Sequence, residues 1–372
     1  MHDGGEEART LGARLMARTL RGLEEVSARE IEERGLGTVE RLRHREVWFS
    51  SEAPGPRLLD LRTVDDVFLL AATLDGIGHT KAELDRFTGP ARTAPWRDLL
   101  GLRGRCGGPS SATRVDVVAS YLGKRNFNRY DIEDAVGREA SDVLGLPYTS
   151  RREGRPPEGG EPFPVRVTLE GPEAALAVRL TDRPMHRRAY KRESVPGTLH
   201  PPLAAAMARL AGVGGLAPGA RVIDPTCGTG TLLIEARHLA PGPRLLGTDA
   251  DPDALRGAAA NSADAAADED APIAYALADA GRLPLADGTI DRVVGNPPWG
   301  LQVEPHGSLA RRPKRYFGEV QRVLRRDGGR AVLLLHDPDT HLPLAEAVGL
   351  RVRDSFTVSL FGTHPSVVAL ER

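Results

Sequence analysis

The spacing of apolar and polar positions changes twice along the chain. In the first stretch, "TLRGLEEVSAREIEERG" sets Leu20, Leu23, Val26 or Ser27, and Ile31 at the interval of one helix face. The segments "TVERL" and "EVWFSS" follow with the two-residue alternation of short strands. A small α+β unit over residues 1–89 is expected. A second mixed segment, residues 90–193, carries strand patterns in "TRVDVVASYLG", "FPVRVTLEG" and "ALAVRLTD" and a helix in "RYDIEDAVGREASDVLG". Between them "SRREGRPPEGGEPFP" reads as a loop from its Pro, Gly and charge content.

Over residues 194–372 the texture becomes a regular alternation. An Ala-rich helix, "PPLAAAMARLAG", leads into "ARVIDP", "TGTLLIEARHLA", "PRLLGTD", "DPDALRGAAANSADAAA", "IAYALAD", "TIDRVVGN", "SLARRPKRYFGEVQRVLRR" and "RAVLLLHD". Strand and helix patterns in turn predict a doubly wound α/β sheet of parallel strands, with ligands at the carboxyl ends of the strands. The last two strands, "LRVRDSFTVSL" and "SVVALER", are separated only by "FGTHP", and so short a connection forces an antiparallel pair.

Composition adds bounds. A chain of 372 residues with 40% apolar and 27% charged residues is long enough for two or three domains with buried cores. No apolar run approaches the roughly 20 residues of a membrane span. The start, "MHDGGEEARTLGARLMARTL", lacks an apolar signal core, and Cys106 and Cys227 are the only cysteines, so a reducing cytoplasm is expected. With 50 basic against 51 acidic residues, net charge gives no argument for a polyanionic partner, and any nucleic-acid contact must rest on local patches.

Candidate chemistry gathers at the predicted strand ends. "VIDPTCGTGTLLIEA" is a strand ending at Asp224, a glycine turn and a helix from about Thr231. Its Asp224, Thr226, Gly228, Gly230 and Thr231 are candidate cofactor contacts. Leu233 stands where a dinucleotide fingerprint needs its third glycine, which argues against a pyrophosphate. Asp249 ends the second strand, where a carboxylate can accept both ribose hydroxyls of a nucleoside. Asp251 and Pro252 suit the cap of the next helix. Asp279, followed by Ala280, ends the third strand, where an acid can accept from an adenine amino group. Cys227 reads as a small packed residue with no nucleophilic role.

The fourth strand runs into "VVGNPPWG". This order resembles the class I S-adenosylmethionine-dependent methyltransferases, and Asn296-Pro297-Pro298-Trp299 resembles their N-P-P-[YFW] signature for methylation of an exocyclic or amide nitrogen. An exocyclic amine donates its lone pair into the ring and is a poor nucleophile until its hydrogens are gripped. The Asn296 side-chain oxygen and the Pro297 carbonyl can accept those hydrogens, and Trp299 can stack the extruded base. Asn296 is counted with the cofactor contacts as well.

Upstream, "ARTLRGLEEVSAREIEERG", "SYLGKRNFNRYDIEDAVGREA" and "LTDRPMHRRAYKRESVPGTLHPPLAAAM" resemble the amino-terminal domain, the THUMP domain and the junction of THUMP-containing RNA guanine-N2 methyltransferases. The resemblance implies a Rossmann-like seven-stranded methyltransferase sheet with an antiparallel last strand (194–372), preceded by α+β ferredoxin-like (1–89) and THUMP (90–193) domains. It implies S-adenosylmethionine as cofactor and tRNA as partner, held by its acceptor stem and 3′ end, with position 6 of the acceptor stem as the expected guanosine. Basic runs agree: Lys124 and Arg125, then Arg183, Arg187, Arg188, Lys191 and Arg192, and Arg311, Arg312, Lys314 and Arg315 beyond the signature are candidate RNA contacts. His336, Asp337, Asp339 and His341 in "HDPDTH" are expected to cap a loop, and no metal is expected. The alternatives are rRNA guanine-N2 or adenine-N6 methylation, protein glutamine methylation, and a non-catalytic RNA-binding subunit.

Overall fold

The computed structural model describes residues 12–154, 159–265, 272–298 and 311–372. Trp299, the start of the chain through residue 11 and part of the loop expected at 150–164 lie outside the described residues. The chain divides into two compact units, one formed by residues up to Thr19 with Ser27–Met185, the other by Leu20–Val26 with His186–Arg372. Among the described residues each unit is built on one seven-stranded sheet.

The first unit contains β1 (Ala13–Arg18), β2 (Thr38–Arg43), β3 (Glu46–Ser51), β4 (Asp66–Leu74), β5 (Arg114–Tyr121), β6 (Pro162–Glu170) and β7 (Glu173–Arg179), in the order β2-β3-β1-β4-β7-β6-β5. Its ladders are antiparallel except β5 with β6. Period-two patterning sends Leu15, Val47, Phe49, Val67, Leu69, Val117 and Val167 into the main core, and Met16, Trp48 and Phe68 into a smaller cluster of the alternate positions. The residues of α1 (Glu24–Glu33) from Ser27 onward, with α2 (Asp85–Thr93), α3 (Trp96–Arg105) and α4 (Arg129–Leu144), complete it. A reciprocal Asn128–Asp131 capping box starts α4, and Gly145 in the left-handed region ends it.

Two boundaries differ from the sequence reading. The division expected between residues 89 and 90 falls inside α2, and strands from both sides of it share one sheet. The second unit begins at His186 rather than 194 and includes Leu20–Val26, because Leu20, Leu23 and Val26 pack in its core.

That unit holds β8 (Arg221–Asp224), β9 (Arg244–Asp249), β10 (Ala274–Leu277), β11 (Arg292–Gly295), β12 (Arg330–Leu335), β13 (Arg351–Thr357) and β14 (Ser366–Glu371), in the order β10-β9-β8-β11-β12-β14-β13. The first five are parallel, and β14 runs antiparallel to both β12 and β13, as the short "FGTHP" link requires. Helix α5 (Pro201–Leu210) precedes them, and α6 (Thr231–Leu239), α7 (Pro252–Ala265), α8 (Pro313–Val323) and α9 (Pro338–Glu346) lie between successive strands. Two apolar clusters cover the strands, one with Val222, Val294 and Val332, the other with Ile223, Val293 and Leu333, so these strands read as continuous apolar runs. Strand order reverses between β8 and β11, which opens a crevice at their carboxyl ends. Among the described residues no helix is long and apolar enough to cross a membrane.

Candidate active site

The crevice is a cavity of about 540 Å³, within the range of small-molecule sites. Its lining brings together Asp224, Thr226, Gly228, Thr231, Asp249, Asp279, Ala280, Asn296 and Pro297, all expected site residues. Gly230 is not among the lining residues but shapes the turn beneath them. It has φ +81, and a Cβ there would lie 2.6 Å from the Tyr275 hydroxyl oxygen, so only glycine fits.

Each strand-end acid is fixed by backbone amides. The Thr226 N–H donates to Asp224 Oδ1 at 3.0 Å, that of Gly228 to Asp249 Oδ2 at 2.8 Å, that of Asp251 to Asp249 Oδ1 at 3.0 Å, and that of Gly281 to Asp279 Oδ1 at 2.8 Å. The glycine turn is tied to β9, since Cys227 N–H donates to the Thr248 carbonyl at 2.9 Å and Thr248 Oγ1 donates to the Pro225 carbonyl at 3.2 Å. Asp251 accepts from Asp253 N–H at 2.8 Å, the cap expected of it. Burial pushes the Asp224 carboxyl up to about 8, with the Asp249 charge adding to the rise, so Asp224 carries a proton at neutral pH. Burial also raises the Cys227 thiol, which suits a packed residue rather than a thiolate.

At the end of β11 the Asn296 amide nitrogen donates to the Gly197 carbonyl at 3.1 Å. The segment Val195–Leu199, ahead of α5, forms one cavity wall, and His336, just past β12, lies in another. Sequence reasoning missed both. The Pro196-Gly197 pair marks a turn but nothing in the sequence aims that turn at β11, and His336 was read only with its loop neighbours. Burial lowers the His336 pKa, which keeps its imidazole neutral at pH 7. Asp337 does cap α9, accepting from Thr340 N–H at 3.1 Å.

The basic residues divide. Lys124, Arg183, Arg187, Arg192, Arg311, Arg312, Lys314 and Arg315 are exposed, although Arg192 pairs with Asp264 at 2.6 Å. Three expected RNA contacts have structural work instead. The Arg125 guanidinium donates to the carbonyls of Ile77 (3.0 Å), Gly78 (2.7 Å) and Gly171, clamping three loops. Arg188, 7% exposed, pairs with Glu235 at 3.2 Å, and Tyr190 donates to the same carboxylate at 2.7 Å. A buried acid needs such counter-charge. Lys191 donates to the Leu199 carbonyl at 3.1 Å, and burial lowers its pKa.

The sheet order and the acids on β8, β9 and the β10 end define a class I methyltransferase domain, whose methyl donor is S-adenosylmethionine. The residues present fit that donor. The Thr229 and Thr231 hydroxyls are buried in the lining without a protein partner, the turn at Gly228 has open space where a side chain would stand, and Asp249 and Asp279 put acceptors of the kind a nucleoside's hydroxyl and amino groups need in the same lining.

Comparison with known proteins gives the family. Residues 188–366 match the family described as UPF0020, RMKL-like methyltransferase domain. A tRNA (guanine(6)-N2)-methyltransferase of Thermus thermophilus is 31% identical over 333 residues, 89% of each chain. One of Archaeoglobus fulgidus is 25% identical over 386 residues, covering 92% of this chain and 88% of that one. The crystal structure of TrmN from Thermus thermophilus superposes with a TM-score of 0.75 at 28% identity, covering 96% of this chain and 99% of that one. The chain belongs to the tRNA guanine-N2 methyltransferase family.

Proposed function

We propose that the protein transfers a methyl group from S-adenosylmethionine to the exocyclic N2 of a guanosine in tRNA. The observation that carries this reading is the Asn296 amide at the carboxyl end of β11, its nitrogen bound to the Gly197 carbonyl and its oxygen left for the cavity. Asn296 Oδ1 and the Pro297 carbonyl accept the two amine hydrogens and turn the nitrogen lone pair toward the donor. The donor supplies an electrophilic sulfonium methyl. Nitrogen becomes acidic once methylated, so its proton leaves afterwards and positioning carries the rate, an effect worth roughly 7–11 kcal/mol in intramolecular reactions. Asp249 and Asp279 hold ribose and adenine, with Thr226, Gly228, Thr231 and Ala280 completing the cofactor wall.

The relatives' names support N2 of guanosine 6 as the target; in this reading that guanosine stands in the acceptor stem. In this reading the first unit's sheet combines the ferredoxin-like and THUMP parts that receive the tRNA 3′ end. Trp299 stacks the extruded base, and Lys124, Arg183, Arg187, Arg192, Arg311, Arg312, Lys314 and Arg315 meet phosphates in the cytoplasm. Incubating purified protein with labelled donor and total RNA from a strain lacking it, then mapping the labelled nucleoside by mass spectrometry, tests the proposal. Label in N2-methylguanosine of tRNA is expected; label confined to rRNA, or to adenosine, overturns it.

A further inference from the structure

The hairpin joining β13 to β14 closes with an unusual residue. Leu360 and Thr363 exchange both backbone hydrogen bonds, each 2.9 Å, so Phe361 and Gly362 form a two-residue loop. Both have positive φ, 49° and 83°. That mirror-image turn calls for Asn or Gly at its first central position, and a bulky side chain there is an outlier. Burial does not account for the choice, because Phe361 is 73% exposed, and its ring packs edge-on against His200 with centroids 6.0 Å apart.

Position suggests what the ring does. Leu335 of β12 is in register with Ser366 of the antiparallel β14, so the residues just ahead of Ser366 lie at the carboxyl end of the parallel strands. The same end carries Asp224, Asn296 and His336. His200, the neighbour of Phe361, directly follows the Val195–Leu199 wall that holds Asn296. Strain kept at such a place points to function.

We propose that Phe361 is a stacking platform for an unpaired nucleobase of the RNA substrate, set beside the wall of the methylation site. This rests on the reading of tRNA as substrate. An exposed ring at a loop tip offers a flat apolar face, and every base has a matching π-face, so such a contact holds the strand without reading its sequence. The T-shaped contact with His200 steadies the ring, and most of its surface stays exposed.

Phe361→Asn and Phe361→Trp separate the ring from the turn. Asn suits the backbone and removes the ring, so Tm should rise by about 2–4 °C while tRNA affinity falls roughly 5- to 150-fold, the equivalent of about 1–3 kcal/mol of stacking. KM for tRNA should rise with it, cofactor affinity by calorimetry should stay at the parent value, and Phe361→Trp should keep tRNA affinity. Unchanged tRNA binding and KM in Phe361→Asn overturn the assignment, and an unchanged Tm removes its premise of a strained turn. Failure of the functional reading shows differently, since the parent protein itself then methylates no tRNA.

Discussion

Asn296 Nδ2 lies 3.1 Å from the Gly197 carbonyl oxygen, and this one bond engages the donating end of the amide. An amide has a donating and an accepting end. With the donating end held by the wall, Oδ1 is the end that the proposed reaction offers to the amine.

Asn296→Ala should therefore lower kcat and kcat/KM together, on the order of 10²–10³, with cofactor and tRNA affinity nearly unchanged, since the lost contact belongs to the transition state. Gly197 has φ +78, so Gly197→Ala strains the wall and turns the carbonyl. It should lower kcat about tenfold without raising KM for tRNA. Single-turnover rates for both variants and their combination form a cycle: if Gly197 acts through Asn296, the effects will not add.

How much of this was legible in the sequence depends on the kind of contact. Asp224, Asp249, Asp279 and Asn296 could be read because a parallel sheet brings its strand ends together whatever the loops do. The Gly197 carbonyl could not, since it reaches Asn296 through a tertiary contact that leaves no periodic trace. Arg188 and Lys191 looked like an RNA patch because a charge run does not announce that Glu235, in a helix far along the chain, waits for Arg188, or that the Leu199 carbonyl waits for Lys191. β4 escaped because "DVFLLAATL" is a continuous apolar run without alternation, and α2 because it contains Gly89 and Pro90, residues that ordinarily break helices.

Asp249 accepts one backbone amide on each oxygen, which leaves its remaining lone pairs facing the cavity. Asp249→Ala removes two ribose bonds of roughly 1.5–3 kcal/mol each and also frees the Gly228 amide. Calorimetry should show donor affinity lower by at least a hundredfold. Parent-like affinity would reject Asp249 as the ribose ligand.

Neighbouring arginines should separate two properties. Removing Arg188 takes its guanidinium, 3.2 Å away, from the buried Glu235 carboxylate, and breaking such a pair costs about 3–5 kcal/mol. Arg188→Ala should thus lose stability in denaturant melts. Exposed Arg187 should behave oppositely: Arg187→Glu keeps the melt but weakens tRNA binding and makes its salt dependence shallower. Equal melts for the two variants would contradict the assignment of Arg188 to the fold.

The protonated Asp224 makes stability depend on pH. Its folded pKa, about 8, lies above the ordinary carboxylate value of 3.8, so the folded state binds a proton that the unfolded chain releases. The sign follows: the contribution is complete below about pH 4 and is lost as pH rises toward 8, by about 1.4 kcal/mol per pH unit over that interval. Asp66 in the first unit, raised by burial to about 6 despite Arg179, adds a slope of the same sign, so the parent curve alone cannot identify the group. Asp224→Asn can, because its side chain is neutral at every pH and close in shape to the protonated acid. The difference in Tm between parent and variant should change steadily from about pH 5 to pH 8 in the variant's favour, and then level off. A pH-independent difference would mean that Asp224 is ionised in the fold despite its burial.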